Sequence, residues 1–313
     1  MAPDTHKIDA HSPPETHELI TQAAIAKAKL PWIDLILKSF FGGVFIAIGG
    51  LFDLIVVGGS PGLRQSNPAL ATMISAFLFP TGFVLVILTN MELVTSNFYT
   101  MTFATLQRKT TIYDLARNWV VSYIFNIAGA LFFTGVLAWW SDSLSSDAQS
   151  TYAVTQAEGR VNVNWGYNLT RGIGCNWLVG LAMYLGTSGR DNTSKIFGIW
   201  IPIWAFVALG YQHSIANYFN GPIGMFYGTN FSVGKFIWAS CIPVTLGNMI
   251  GGAVFVGLSF WLLYGRGPAL PNEAGAQLGG DKREDGHMNG FKKHHDDMNG
   301  DGMRQRPRGD DMA

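Results

Sequence analysis

The sequence predicts an all-α membrane protein of six transmembrane helices, two of them interrupted, arranged as an inverted repeat. Three observations lead there: where the charges sit, how long the charge-free runs are, and an internal match between the two halves. Charged residues make up 13% of the 313, about half the roughly 25% of a soluble domain. The long stretch Leu30–Gly265 carries 18 charges, whereas the far shorter Arg266–Ala313 carries 17. So sparse a set cannot build a water-facing surface, and the middle of the chain is read as embedded in a lipid bilayer. Lysine and arginine number 21, against 21 acids. With no net charge and no clustered basic face, nucleic acid is excluded as a partner. Cys175 and Cys241 both fall in apolar stretches, which excludes a disulfide scaffold and a four-thiolate zinc site.

Crossing about 30 Å of hydrocarbon takes about 20 apolar residues. Ser39–Gly59 is interrupted only by Asp53, and no charge occurs in Gln65–Met91, Asn118–Ser141 or Gly172–Gly189. Two longer charge-free runs, Ile196–Gly234 and Phe236–Gly265, complete six units. Ile196–Gly234 is too long for one crossing and too short for two with a turn. It is read as a span that breaks near Tyr211–His213 and is followed by a short helix. The second unit shows the same pattern, a crossing up to about Met91, then Glu92, then Leu93–Leu106. Irregular backbone at membrane depth is tolerated only where protein or a water-filled cavity surrounds it, so two breaks suggest a pathway.

The two halves match. Asn126-Ile-Ala-Gly-Ala answers Asn248-Met-Ile-Gly-Gly, and Ser96-Asn97-Phe98-Tyr99 answers Ala216-Asn217-Tyr218-Phe219, at offsets of 122 and 120. Three spans per repeat is an odd number, so the halves must face opposite ways across the membrane. The repeats run about 35–141 and 160–266. The alternative is that small-residue motifs recur in any helix bundle. Placing both termini in the cytoplasm puts 17 of the 21 cations there, leaving Arg64, Arg160, Arg171 and Lys235 outside, as the positive-inside rule requires.

Residues 1–29 form a cytoplasmic segment in which Glu18–Leu30 reads as an amphipathic helix, and 30–266 form the six-span domain. Residues 267–313 read as a disordered tail. Within it Asp297-x-Asn299-x-Asp301-Gly302 opens like a calcium loop, but Arg308 stands where a bidentate Glu is required, so calcium is rejected.

These residues resemble the formate/nitrite transporter family across roughly Leu30–Gly265, fungal nitrite transporters most of all. The resemblance is carried by Asn90-Met-Glu-Leu-Val-Thr-Ser-Asn97, Arg117-Asn-Trp119 with Asn126, Arg171-Gly-Ile-Gly-Cys-Asn-Trp177, Gly210-Tyr-Gln-His-Ser-Ile-Ala-Asn217 and Ile242-Pro-Val-Thr-Leu-Gly-Asn-Met-Ile-Gly-Gly252. It implies an aquaporin-like protomer with two interrupted helices, one pore per protomer, a homopentamer in the plasma membrane, and carriage of nitrite or formate with protons. No cofactor, metal or catalytic residue is implied, and the chain is not an enzyme.

Of seven histidines, His213 alone lies in the apolar region. An ionisable group at such depth is a functional hypothesis by default, and imidazole changes charge near neutral pH. The alternative is a neutral histidine bonded to backbone at the helix break. A single histidine also argues against a bound metal. By the resemblance, Thr95 and Asn176 stand against His213. The alternatives are a helix cap for Thr95 and an interhelical hydrogen bond for Asn176. The resemblance also assigns Phe79, Phe83 and Phe206 to a cytoplasmic constriction and Leu93, Val94 and Val179 to an outer one. Ordinary core packing is the alternative for all six. Arg160 stands in the outer loop where the family commonly carries lysine. It keeps the attraction for anions, but cannot deprotonate at usable pH; otherwise it is a loop residue paired with Glu158. Glu92 is read as structural, stabilised by backbone N–H groups of the second half-helix, and Asp53 as interfacial. A membrane-embedded enzyme is disfavoured because no base–acid or metal constellation surrounds His213. An aquaporin-type pore is disfavoured because Asn67-Pro68-Ala69 has no second copy.

Overall fold

The computed structural model describes residues 10–266, and these are helical with no strand beyond one isolated bridge, Ala10 with Gly189. The acidic and basic tail, with its calcium-like motif, lies outside the described residues. Helix α1 (Pro13–Ala28) opens on a capping box at Ser12 and Glu15. The remaining helices follow as α2 (Trp32–Gly58), α3 (Pro61–Ser66), α4 (Pro68–Leu78), α5 (Pro80–Leu88), α6 (Val94–Leu106) and α7 (Ile112–Phe132), which runs on through wide π-type turns to Trp140. After α8 (Asp147–Val161) come α9 (Trp165–Ser188), α10 (Asn192–Ala208), α11 (Ser214–Phe226), α12 (Val233–Phe236) and α13 (Ile242–Met249), the last continued by further π-type turns to Gly265.

Among the described residues, four stretches are long and apolar enough to cross a membrane: Trp32–Gly58, Pro68–Leu88, Ile112–Trp140 and Val233–Gly265. The other two expected spans take a different form. Helix α9 has 24 residues but carries Asn168, Arg171 and Asn176, while α10 has only 17 before its break. Polar groups at working positions lower the apolarity of the former, and the break shortens the latter.

The helices pack in two like pairs, α2 with α7 and α9 with α13. Glycine sets the approach in both. A Cβ at Gly129 would overlap the carbonyl of Phe40, and one at Gly251 that of Ile173. Backbones this close gain dispersion contacts, the main attraction available between helices in lipid.

Helix α1 buries a mixed polar and apolar face rather than a purely apolar stripe. Its buried face is Thr16, His17, Ile20, Thr21, Ala24 and Lys27, seated on α6, α9 and the end of the last helix. His17 stacks on Phe103 at 5.0 Å and Tyr264 at 4.7 Å, with Tyr184 and Phe260 also against it. Thr21 donates to Gln107 at 2.7 Å. At the opposite end of the bundle, α8 packs on the end of α2 and on α11, so α1 and α8 cap opposite faces.

Burial among these rings pushes the His17 imidazole down to about 4. The unfolded value is near 6.5. Folded and free forms therefore bind protons differently only below about pH 6.5, and α1 docking weakens as pH falls from there toward 4, by on the order of 3 kcal/mol in total. Amide hydrogen exchange of α1 should accelerate over that window, relative to His17→Phe measured at each pH. Identical exchange in the two proteins would contradict this linkage.

Candidate functional site

The two broken helices end in the same way. Helix α5 closes on Asn90 at φ 55° and α10 on Gly210 at φ 69°. Each is followed by an amide that reaches back to the last turn, Met91 N to Val86 O at 2.9 Å and Tyr211 N to Phe206 O at 3.0 Å. This left-handed cap satisfies the last carbonyls of a helix, and the two copies stand at equivalent places in the two repeats. Each chain then returns through a short extended segment to begin a new helix. Each return is held by one asparagine. Asn126 Oδ1 accepts from Val94 N at 2.9 Å, and its Nδ2 donates to the carbonyls of Ser39 and Glu92. Asn248 Oδ1 accepts from Ser214 N at 2.8 Å, and its Nδ2 donates to the carbonyls of Gly172 and Gln212. A second asparagine supports each copy: Asn97 bonds Glu92 and Ser122, and Asn217 bonds Gln212 and Ser240.

The starts of α6 and α11 meet at Thr95 and His213, whose Oγ1 and Nε2 lie 2.9 Å apart and wholly buried. His213 caps α11, its Nδ1 accepting from Ala216 N at 3.1 Å. That bond fixes the tautomer of the neutral ring: Nε2 carries the hydrogen and donates it to Thr95. Helix α6 starts at Val94 with Leu93 in the cap position, so Thr95 is not a helix cap. Asn176 does not bond the imidazole; its Nδ2 donates to the Thr95 carbonyl at 2.9 Å, and its buried Oδ1 meets no partner. It positions the threonine, which in turn positions the ring.

A cavity of about 470 Å³ runs from exposed Thr155 and Gly159 of α8 down to His213, with Arg160, Arg171, Phe79 and Phe206 on its walls. Phe79 and Phe206 meet edge to face at 5.9 Å, and Phe206 stacks on His213 at 6.1 Å. Phe83 is buried in the same apolar cluster without lining the cavity. Val179 lies one turn beyond Asn176 toward the α1 end of α9. Leu93 and Val94 follow Glu92, which Lys27 of α1 holds by a buried ion pair at 2.6 Å. The two constrictions thus take the opposite sides from those expected. Phe79 and Phe206 share the Arg160 cavity, and Leu93, Val94 and Val179 lie on the α1 side of His213. The reason is chain direction. Helix α5 descends from the α8 end, so residues before its break lie nearer α8 than the residues after it.

Three further expectations change. Arg160 bonds the Gln156 carbonyl and side chain rather than Glu158. Glu92 is held by the side chains of Lys27, Asn97 and Asn118 rather than by backbone amides. Asp53 is 6% exposed and lines the cavity instead of facing an interface. Lys27 and Asn118 were missed in the sequence; an acid at membrane depth demands partners, and that demand was the available signal.

A family model described as formate/nitrite transporter matches residues 14–262. An uncharacterized transporter of Bacillus subtilis, YrhG, is 42% identical over 255 residues, covering 80% of this chain and 93% of its own. A probable formate transporter of Methanothermobacter thermautotrophicus is 38% identical, with 81% and 97% covered, and the formate channel BtFdhC of Bacillus thuringiensis is 34% identical, with 81% and 96% covered. Among solved structures, a pentameric formate channel with formate bound is similar at a TM-score of 0.65 and 27% identity, over 74% of this chain and 97% of that one.

Replacing either clamp, Asn126→Leu or Asn248→Leu, strands one buried amide and two carbonyls. At about 1–3 kcal/mol for each unpaired group, either variant should lose at least about 3 kcal/mol. Thermal unfolding in detergent measures this, and a wild-type midpoint for both would refute the clamp's role.

Proposed function

Because the chain belongs to the formate/nitrite transporter family, we propose that it carries nitrite across the plasma membrane together with a proton, through one pore in each protomer of a homopentamer whose termini face the cytoplasm. It is a transporter, not an enzyme. Formate is the nearest alternative substrate, favoured by the names of two relatives and of a similar structure. The observation that carries the reading is the buried Thr95–His213 contact at the floor of a cavity lined by Arg160 and Arg171.

The chemistry follows from that sequence of groups. The two guanidiniums attract a small anion into the cavity, over distances limited by screening to about 8 Å at physiological salt. Phe79 and Phe206 then present apolar surface, which a bare anion crosses only at heavy desolvation cost and its neutral acid crosses at little. His213 and Thr95 offer hydrogen-bonding groups at the crossing point, and Leu93, Val94 and Val179 repeat the apolar barrier beyond it. Net movement is one anion with one proton.

Liposomes with a lumenal pH dye, given nitrite and formate side by side, test the substrate and the coupling. Wild type should take up nitrite faster and acidify the lumen in step. His213→Asn should keep the fold and weaken the hydrogen-bonding crossing point beside Thr95, with uptake down roughly tenfold. A variant still moving one proton per anion at the wild-type rate would reduce His213 to a structural plug. Arg160→Lys should change uptake little, whereas Arg160→Glu should slow it, more at low ionic strength; equal uptake by the Glu variant at low and high salt would end the steering argument.

A further inference from the structure

His213 has no free nitrogen with which to supply a proton of its own. Its Nδ1 accepts from Ala216 N and its Nε2 faces Thr95. A protein donor for the proton that neutralises the anion is therefore sought elsewhere on the same path. The cavity holds one candidate acid among the described residues. Asp53, on α2, lines the wall together with Arg160, and its Oδ1 is buried without any hydrogen-bond partner. No ion pair engages it within 4 Å among the described residues; the pairs within that distance involve Glu15 and Glu92. The other titratable groups facing the same cavity are Arg160 and Tyr152 of α8, Arg171 of α9, and Tyr211 and His213 beyond the α10 break.

We propose that Asp53 is the proton donor to the transported anion, acting in the cavity before the Phe79–Phe206 constriction. The inference rests on the proton-coupled reading above. The step is a proton transfer with no redox change. The O–H bond of the Asp53 carboxyl breaks, and an O–H bond forms on the anion held near Arg160. The neutral acid passes the two phenylalanines, and the Asp53 carboxylate takes its next proton from water reaching the cavity past Thr155 and Gly159. Each cycle brings in one anion and one proton. What the donation needs is an acid on the wall where the anion is held, and Asp53 lines that wall together with Arg160. Arg160 and Asp53 then play complementary parts: the cation holds the anion, and the acid removes its charge.

The test uses full-length protein in liposomes, with nitrite and formate as the probes, lumenal pH recorded, and external pH varied. Asp53→Asn keeps the shape of the side chain and carries no transferable proton. Its uptake should fall at least tenfold and lack the rise with falling external pH expected of wild type, with the oligomer intact by size exclusion. Asp53→Glu should restore the pH dependence. Asp53→Ser, smaller and non-acidic, should behave as Asp53→Asn, and it carries the test if the Asn variant fails to assemble. Wild-type rate with an unchanged pH profile in either non-acidic variant would overturn the assignment. Anion uptake by wild type without lumenal acidification would instead overturn the proton-coupled reading itself, whatever the Asp53 variants do.

Discussion

Everything in the centre of this molecule depends on keeping backbone hydrogen bonds satisfied at two places where a helix stops inside the membrane. Each break exposes several amides and carbonyls, and each such group costs a few kcal/mol if left unpaired away from water. The chain meets that cost twice with one device. A left-handed cap closes the first half-helix, and one carboxamide bridges the return, donating to two carbonyls and accepting from the first amide of the next helix. A carboxamide suits this because it is donor and acceptor at once. A carboxylate could not donate, and a hydroxyl could not span both carbonyls.

Fixing the breaks fixes the site. Once Val94 and Ser214 are tied down by the clamps, the helices beginning there present Thr95 and His213 to each other. The imidazole is then orientated from both sides, by the amide of Ala216 at one nitrogen and by Thr95 at the other, and Thr95 is steadied through its carbonyl by Asn176. No residue of this set sits on a mobile loop. Each stands on a helix or within a residue or two of a helix start, so the geometry is carried by rigid elements.

Much of this was legible in the sequence because it rests on spacing. Charge-free runs gave the membrane class, and paired motifs at a common offset marked the breaks, with His213 the one histidine in apolar surroundings. What stayed hidden depends on direction and on long-range contact. Phe79 and Leu93 stand close together in the chain, and which of them lies toward α8 depends on the direction in which α5 runs, descending from the α8 end. That direction exchanged the sides expected for the two sets of residues. Lys27 and Glu92 are 65 residues apart, and no periodicity links an N-terminal helix to a broken one. Asp53 read as interfacial because a span's hydropathy does not reveal that α8 folds over its end.

The two breaks share a frame but differ in what it carries, and that difference gives the pathway its polarity. Residue for residue, Glu92 corresponds to Gln212 and Leu93 to His213. On the α1 side the frame holds a carboxylate, which requires Lys27, Asn97 and Asn118 to satisfy it. A buried charge with one partner removed is strongly destabilising, so α1 is bound to the broken helix by an interaction that cannot be given up cheaply. On the α8 side a neutral glutamine serves, and the charge appears instead on the cavity wall, as Arg160, Arg171 and Asp53. One half is thus locked by an ion pair that solvent does not reach, while the other leaves its charges facing a cavity open to water. Duplicated backbone architecture makes a symmetric path; the substitutions at these two positions place the imidazole toward the half where charge remains exposed to an arriving anion.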